Sequence, residues 1–230
     1  MRLHDWTGFA ALGAAIASLV ELFRGDLTYA LVWFLVAAPL GLLTRYWSQT
    51  YPGPMPHVLR WTLFVPRGNH SPRHLKQILE PRSGERLLEI GPGVGIHSIP
   101  IASSLAPGGT LDVLDVQQKM LDDLMRRSAD AGVANITAKL GDARKLPYPD
   151  GSFDGAYLVG VLGEIPGEDQ ALRELRRVLK PNGRLAVGEV IFDPDYVPFG
   201  ALRDRMGRAG FAFERKLGNA FSYLARFRPA

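Results

Sequence analysis

The run Leu87-Leu-Glu-Ile-Gly-Pro-Gly-Val-Gly95 ends an apolar stretch on an acid and follows it with glycines at alternate positions. A strand that stops this way turns sharply into a helix. Without side chains, the backbone of the turn can press against a nucleotide-like ligand, and the helix that follows offers unpaired N–H groups to anything partly negative. Such a turn is a weak signal alone. Its weight comes from the acids that follow. Asp115 closes the next apolar run, twenty residues after Gly95, where a carboxylate can accept hydrogen bonds from both hydroxyls of a ribose. Gly141-Asp-Ala143 follows the third run, and Asp142 can accept from an exocyclic amine such as that of adenine. Asp150-Gly-Ser-Phe-Asp154 opens the fourth run, whose far end reads Val159-Gly-Val-Leu-Gly-Glu-Ile-Pro166. Taken singly, each acid also fits a cap on the next helix or turn. Taken in this order and spacing, they point to a bound nucleoside.

These residues need a scaffold that brings them to one edge. After Gly84 short apolar runs alternate with amphipathic ones. Strands are expected at Arg86–Ile90, Thr110–Asp115, Ile136–Leu140, Phe153–Val159 and Arg184–Glu189. Helices are expected at Ile96–Ser104, Gln117–Ala131 and Asp169–Leu179, the last stopped by Lys180-Pro-Asn-Gly183. Alternation with short connections implies an α/β fold, a parallel sheet covered on both faces, with ligands bound at the carboxyl ends of its strands.

Upstream lies a different kind of sequence. Thr7 to Val20 and Leu27 to Thr44 contain no charged residue, and Arg24-Gly-Asp26 separates them as a tight turn. With Trp6 and Trp47 as outer ends, each run approaches the roughly 20 residues that cross about 30 Å of hydrocarbon. Trp6, Tyr46 and Trp47 suit a membrane interface. Ala11, Ala15 and Ser18 on the first helix, and Ala37 and Gly41 on the second, offer small faces for close packing. A helical hairpin anchored in the membrane is expected over 1–50; a buried hairpin capping the globular domain is the alternative, supported by Glu21 and the modest lengths. Two spanning helices return to the same side. Arg45 and the segment 57–86, with six basic and two acidic residues, then place the catalytic domain on the cytoplasmic face. Tyr51-Pro-Gly-Pro-Met-Pro56 is a stiff linker, and 51–84 is expected as a basic linker or lid segment before a domain at 85–230.

Composition narrows the chemistry. The 230 residues include no cysteine, so thiolate nucleophiles, disulfides and thiolate metal sites are excluded. The five histidines show no metal-ligand spacing, and no metal is expected. A net charge of +4 is too modest to argue for nucleic acid.

On LLEIGPGVG, LDVLDVQQKML, GDARKLPYPDGSFD and LRELRRVLKPNGRLAVGE, residues 72–228 resemble class I S-adenosylmethionine-dependent methyltransferases. The branch they are most similar to includes the ubiquinone and menaquinone biosynthesis methyltransferases. The resemblance implies a Rossmann-like seven-stranded sheet, mostly parallel, whose last two strands form an antiparallel hairpin; Phe211–Leu217 and Ser222–Phe227 fit these, after a helix at Gly200–Ala209. It implies S-adenosyl-L-methionine as cofactor. Gly91, Gly93 and Gly95 would then shape the pocket around its methionine portion and Glu89 would orient that loop. Asp115 would hold the ribose, Val116 and Ala143 would flank the adenine, and Asp142 would bond its amine. Val159 and Gly160 would line the passage to the acceptor. Residues 1–56 are not covered by it.

Methyl transfer to carbon or oxygen also needs a proton removed. Glu164, just after the fourth strand, is the expected catalytic group; His70, His74, Tyr148 and Tyr196 are weaker candidates. The Asn/Asp-Pro-Pro-aromatic tetrad of nucleic-acid amine methylation is replaced by Val159-Gly-Val-Leu162, which argues for a small acceptor instead. The apolar hairpin makes that acceptor lipophilic, a quinone precursor or lipid, with membrane lipid as a partner. The alternatives are an NAD-dependent oxidoreductase, disfavoured by the G-x-G-x-G spacing, and a catalytically silent S-adenosylmethionine-binding protein. The oligomeric state is not legible.

Overall fold

The computed structural model describes residues 3–65 and 68–230, without the side chains of residues 3–5 and 68. Residues 66 and 67 of the expected linker therefore lie outside the described residues. The chain divides into two compact units, Met1–Gly53 and Pro54–Ala230.

The first unit is a pair of helices, α1 (Leu3–Phe23) and α2 (Leu27–Thr50). Asp26 caps α2, its side chain accepting from the Tyr29 N–H at 3.2 Å. The helices touch through small and hydroxylated residues. Ala14 and Ala30 are buried, Ser18 Oγ donates to the Ala30 carbonyl at 2.7 Å, and Thr44 Oγ1 donates to Thr7 Oγ1 at 2.9 Å. The contact face of α2 thus passes through Ala30, Thr44 and Ser48. Gly41, expected on it, is exposed, and a Cβ there would meet nothing within 4 Å. The rest of both surfaces is apolar and open: Leu19, Leu22, Leu31, Phe34 and Leu35 are all more than half exposed. Both helices are long and apolar enough to cross a membrane, with mean hydropathies of 1.6 over Trp6–Phe23 and 1.9 over Leu27–Thr50.

The second unit begins with a 3₁₀ segment, His57–Phe64, and a helix, α3 (Pro72–Leu79), capped by Ser71. Although α3 falls in the segment expected as a linker, its Leu75, Ile78 and Leu79 are fully buried in the core. Then follow β1 (Arg86–Ile90), α4 (Ser98–Leu105), β2 (Thr110–Asp115), α5 (Gln118–Asp130), β3 (Ile136–Leu140), β4 (Phe153–Val159), α6 (Glu168–Val178), β5 (Leu179–Val190), α7 (Phe199–Arg208), β6 (Phe211–Gly218) and β7 (Ser222–Pro229). The strands form one seven-stranded sheet in the order β3-β2-β1-β4-β5-β7-β6. The first five run parallel, and β7 is antiparallel to both β5 and β6.

Alternate side chains feed two cores, as expected for a sheet covered on both faces. Leu87, Val113 and Tyr157 pack with α3, α4 and α5 residues such as Leu75, Ile101 and Leu124. Their neighbours Leu88, Leu114 and Leu158 face α6 and α7, against Leu172, Leu175 and Leu202. The strand order reverses at β1, between β2 and β4. That reversal opens a crevice above the carboxyl ends of these strands.

Candidate functional site

The glycine turn sits at that crevice. Gly91, Gly93 and Gly95 have φ of 64°, 54° and 83°, a region that non-glycine residues rarely adopt. Space is equally restrictive. A Cβ on Gly91 would lie 2.6 Å from Val161 Cγ2, one on Gly93 2.8 Å from Leu63 Cδ1, and one on Gly95 2.9 Å from Leu124 Cγ. The turn is held from below and from the side. Glu89 is buried and its Oε2 accepts from Ser98 Oγ, at the start of α4, at 2.5 Å and from Tyr157 OH at 2.9 Å. Removal from water raises the Glu89 carboxyl to about 7, against the lowering effect of those two hydroxyls. Arg127 of α5 donates to the Val94 carbonyl at 2.5 Å.

Asp115 ends β2 beside the turn and is 7% exposed. It accepts from the Gln117 N–H at 2.9 Å; burial raises its pKa, against the lowering effect of the nearby Gln117, Gly93 and Val116 N–H groups. The Gly141 N–H donates to the Asp115 carbonyl at 2.9 Å, which brings Asp142 and Ala143 next to Asp115. Val116 is exposed and Ala143 buried. The Asp142 carboxylate grips the Arg144 guanidinium at 2.6 Å and accepts its N–H at 2.8 Å; the side-chain bond to Arg144 is the main cause that lowers its pKa. A carboxylate has about four acceptor sites, so this does not exhaust it.

Across the crevice, β4 ends at Val159 and Gly160, whose N–H donates to the Gly188 carbonyl at 2.8 Å. Glu164 follows. Its pKa is raised well above the ordinary carboxyl range by desolvation and then by the nearby Asp193 and Asp195 carboxylates. Glu189, at the end of β5, is buried and raised for the same reasons; its Oε2 accepts from the Val197 N–H at 3.2 Å.

A strap from the start of the unit crosses this edge. The Met55 N–H donates to Glu164 Oε2 at 3.3 Å, and Gln117 Nε2 donates to the Met55 carbonyl at 2.8 Å. Farther along, His57 Nε2 and Arg60 Nε reach the Asp123 carboxylate of α5 at 2.9 and 3.1 Å. Arg127 lies 4.9 Å from the centre of the Phe64 ring. The strap therefore ties the β2 side of the crevice to the β4 side. Sequence reasoning anticipated a lid in 51–84 but none of these partners, because Met55 uses only its backbone and Asp123 and Arg127 look like ordinary helix-surface charges.

The weaker candidates occupy structural positions. His70 is buried with Nε2 3.3 Å from the Tyr223 carbonyl, and His74 Nδ1 lies 2.7 Å from the capping Ser71 Oγ. Tyr196 OH donates to the Ala220 carbonyl at 2.5 Å. Tyr148 lies near Arg86, the first residue of β1, at the opposite edge of the sheet. Among the described residues no group of histidine and acid side chains could hold a metal.

Two features suit an adenosyl group: the turn exposes backbone through three glycines at positive φ, and a carboxylate stands buried beside it at the end of β2. Comparison with known proteins agrees. Residues 87–183 match a family model described as a methyltransferase domain. A ubiquinone/menaquinone biosynthesis C-methyltransferase of Pseudomonas entomophila is 39% identical over 109 residues, 47% of this chain and 43% of that enzyme. An uncharacterized 37.1 kDa protein in a Streptomyces fradiae transposon is 37% identical over 115 residues, 50% of this chain and 33% of its own length. The chain thus spans less than half the length of these relatives. Among solved structures, a SAM dependent methyltransferase from Aquifex aeolicus superposes with a TM-score of 0.71 over 77% of this chain and 100% of its own, at 18% identity. The cyclase SpnF superposes at 0.62 over 69% and 79%, at 19% identity. At such identities the likeness establishes the fold.

Proposed function

We propose that this globular unit, a class I S-adenosylmethionine-dependent methyltransferase domain, transfers a methyl group to a small lipophilic acceptor at the cytoplasmic face of a membrane. When bound, S-adenosylmethionine supplies a methyl group made electrophilic by its sulfonium. The observation that carries methyl transfer is the junction of the glycine turn with the end of β2, where the Gly91 N–H donates to the Leu114 carbonyl at 2.9 Å and the next residue is the buried Asp115. That junction joins a methionine cradle to a ribose acceptor.

Each residue then has a task. Gly91, Gly93 and Gly95 let the backbone approach the methionine portion, and Glu89 fixes the turn from beneath. Asp115 holds the ribose hydroxyls. Val116 and Ala143 flank the adenine, and Asp142 accepts from its amine while Arg144 keeps it ionised. Val159 and Gly160 border the passage to the acceptor. The chain's main contribution is orientation and exclusion of water, and no covalent step on the protein is needed. Glu164, just past β4, is assigned to take the acceptor's proton; desolvation and the nearby Asp193 and Asp195 carboxylates raise its proton affinity above that of an ordinary carboxylate.

The lipophilic acceptor is inferred from the open apolar surfaces of α1 and α2. A domain tethered to a membrane works where such a molecule partitions. Calorimetry on the full chain in detergent, with S-adenosylhomocysteine and with NAD, tests the cofactor: binding of the first alone is expected, and tight binding of NAD alone refutes the assignment. Extraction of membranes with carbonate tests the tether, with full release removing the reason to expect a lipid acceptor. Lipid and metabolite profiles of a deletion strain should then reveal an accumulated unmethylated precursor.

A further inference from the structure

We propose that the catalytic unit carries its own lipid-docking rim, formed by Val58, Trp61 and Phe64 of the strap with Ile191, Phe192 and Phe221 of two loops on the same edge. The inference rests on the membrane tether proposed above and adds where the crevice faces.

A 3₁₀ helix has about three residues per turn, so side chains three apart share a face. His57, Arg60 and Leu63 form the face turned to the domain, through Asp123 and the glycine turn. The next stripe is Val58, Trp61 and Phe64, exposed by 56%, 54% and 56%. A solvated surface helix shows its charges to water and its apolar stripe to the core. Here His57 and the guanidinium of the half-exposed Arg60 reach inward with Leu63, while Val58, Trp61 and Phe64, the last with Arg127 against its ring, stay exposed.

The second part of the rim comes from the other side of the crevice. The Ile191 N–H, just past β5, donates to the Phe221 carbonyl in the β6–β7 turn at 2.8 Å. The two loops are thereby joined at the carboxyl edge. They present Phe192, 89% exposed, and Phe221, 62% exposed. Asp193, next along, brings its Oδ2 to 3.2 Å from where a Cβ on Gly160 would lie, at the exit of β4, and Glu164 in that exit loop bonds Met55 of the strap. The aromatic loops, the candidate proton acceptor and the strap therefore border one opening.

A bilayer interface is the occupant that fits. Trp and Phe on one side of a short amphipathic segment are the side chains of interfacial helices. Only Tyr51–Pro56 separates the apolar α2 from the 3₁₀ segment, a reach of at most about 25 Å for an extended chain. Docked by this rim, the opening would receive its acceptor directly from the lipid.

The absence of cysteine gives a clean background for the test. Single-cysteine variants F192C, F221C and W61C of the full chain are spin-labelled in phosphatidylethanolamine–phosphatidylglycerol nanodiscs, with N182C, on the exposed far edge, as reference. Collision with oxygen and with a water-soluble nickel chelate reads depth. An oxygen-to-nickel ratio several-fold higher at the three rim sites than at residue 182 supports the proposal. Equal ratios in chain that resists carbonate extraction overturn the rim and leave the tether standing. Low accessibility to both reagents means a second copy covers the rim, and overturns it. Release by carbonate overturns tether and rim together.

Discussion

Gly91→Ala isolates the steric logic of the cofactor turn. The new methyl would lie 2.6 and 2.8 Å from the two Cγ atoms of Val161 and 3.3 Å from its Cβ, against about 3.5–4.0 Å for relaxed carbon contacts. Relieving that overlap should cost about 1–3 kcal/mol. The left-handed backbone, φ of 64°, adds about 1–2 kcal/mol for a residue with a side chain. The expected loss is therefore about 2–5 kcal/mol, read from urea midpoints of the full chain in detergent at unchanged m. Gly132→Ala supplies the control. Its φ is 68° and a Cβ there meets nothing within 4 Å, so only the backbone cost of about 1–2 kcal/mol should appear. Val161→Ala removes both obstructing methyls, so the double variant should recover about 1–3 kcal/mol relative to additivity. S-adenosylhomocysteine affinity should fall in Gly91→Ala and partly return with Val161→Ala. Equal losses at positions 91 and 132, or a strictly additive pair, would refute the claim that β4's exit loop sets the floor of the turn.

Three further outcomes are expected. Asp115→Ala should weaken S-adenosylhomocysteine by about 1–3 kcal/mol through lost charged hydrogen bonds, and unchanged calorimetry would mean that the ribose lies elsewhere. Burial pushes the Glu89 pKa up to about 7 in the folded chain, against about 4.3 when unfolded; the folded state holds the proton more tightly. Its contribution is complete below pH ~4, falls as pH rises to ~7 and is flat above, a loss of roughly 4 kcal/mol that Glu89→Gln should abolish in urea melts across that range. Asp123→Asn loosens the partners of His57 and Arg60, whose pairs are partly exposed; at about 1 kcal/mol for such pairs, tryptic cleavage at Arg60 should quicken about fivefold, and an unchanged rate would show that the strap is held by other contacts.

The parallel strands were legible because each is a short apolar run ended by glycine or acid. Arg86–Ile90, Thr110–Asp115, Ile136–Leu140 and Phe153–Val159 have the bounds expected from sequence. The fifth strand starts earlier than expected. Leu179 pairs with Phe153, the chain leaves the ladder over Lys180–Gly183, and Arg184 rejoins it opposite Gly155. Pro181 and Gly183 signal a break correctly, yet a bulge can absorb that break within one strand. The helix Pro72–Leu79 carried a good signal too, a Ser-Pro start and buried Leu75, Ile78 and Leu79. Its three basic residues, Arg73, His74 and Lys76, masked the apolar stripe as linker.

The strap was the least legible part of the site, for a reason that bears on function. Periodicity finds segments that hide an apolar face at 3.6 residues per turn. His57–Phe64 repeats at three, and what it turns inward is mixed, His57 and the tip of Arg60 together with Leu63. Its attachment to the sheet runs through the Met55 backbone, two α5 charges and the contact of Leu63 with Gly93, none of which leaves a pattern in the chain. A core element is stabilised by burying apolar area, and sequence records that area directly. An element that buries no residue fully and leaves Val58, Trp61 and Phe64 more than half exposed gains little from folding in water alone. Its composition becomes intelligible once part of its stability is assigned to a surface that water does not wet, and that is the same surface from which a lipophilic acceptor would come.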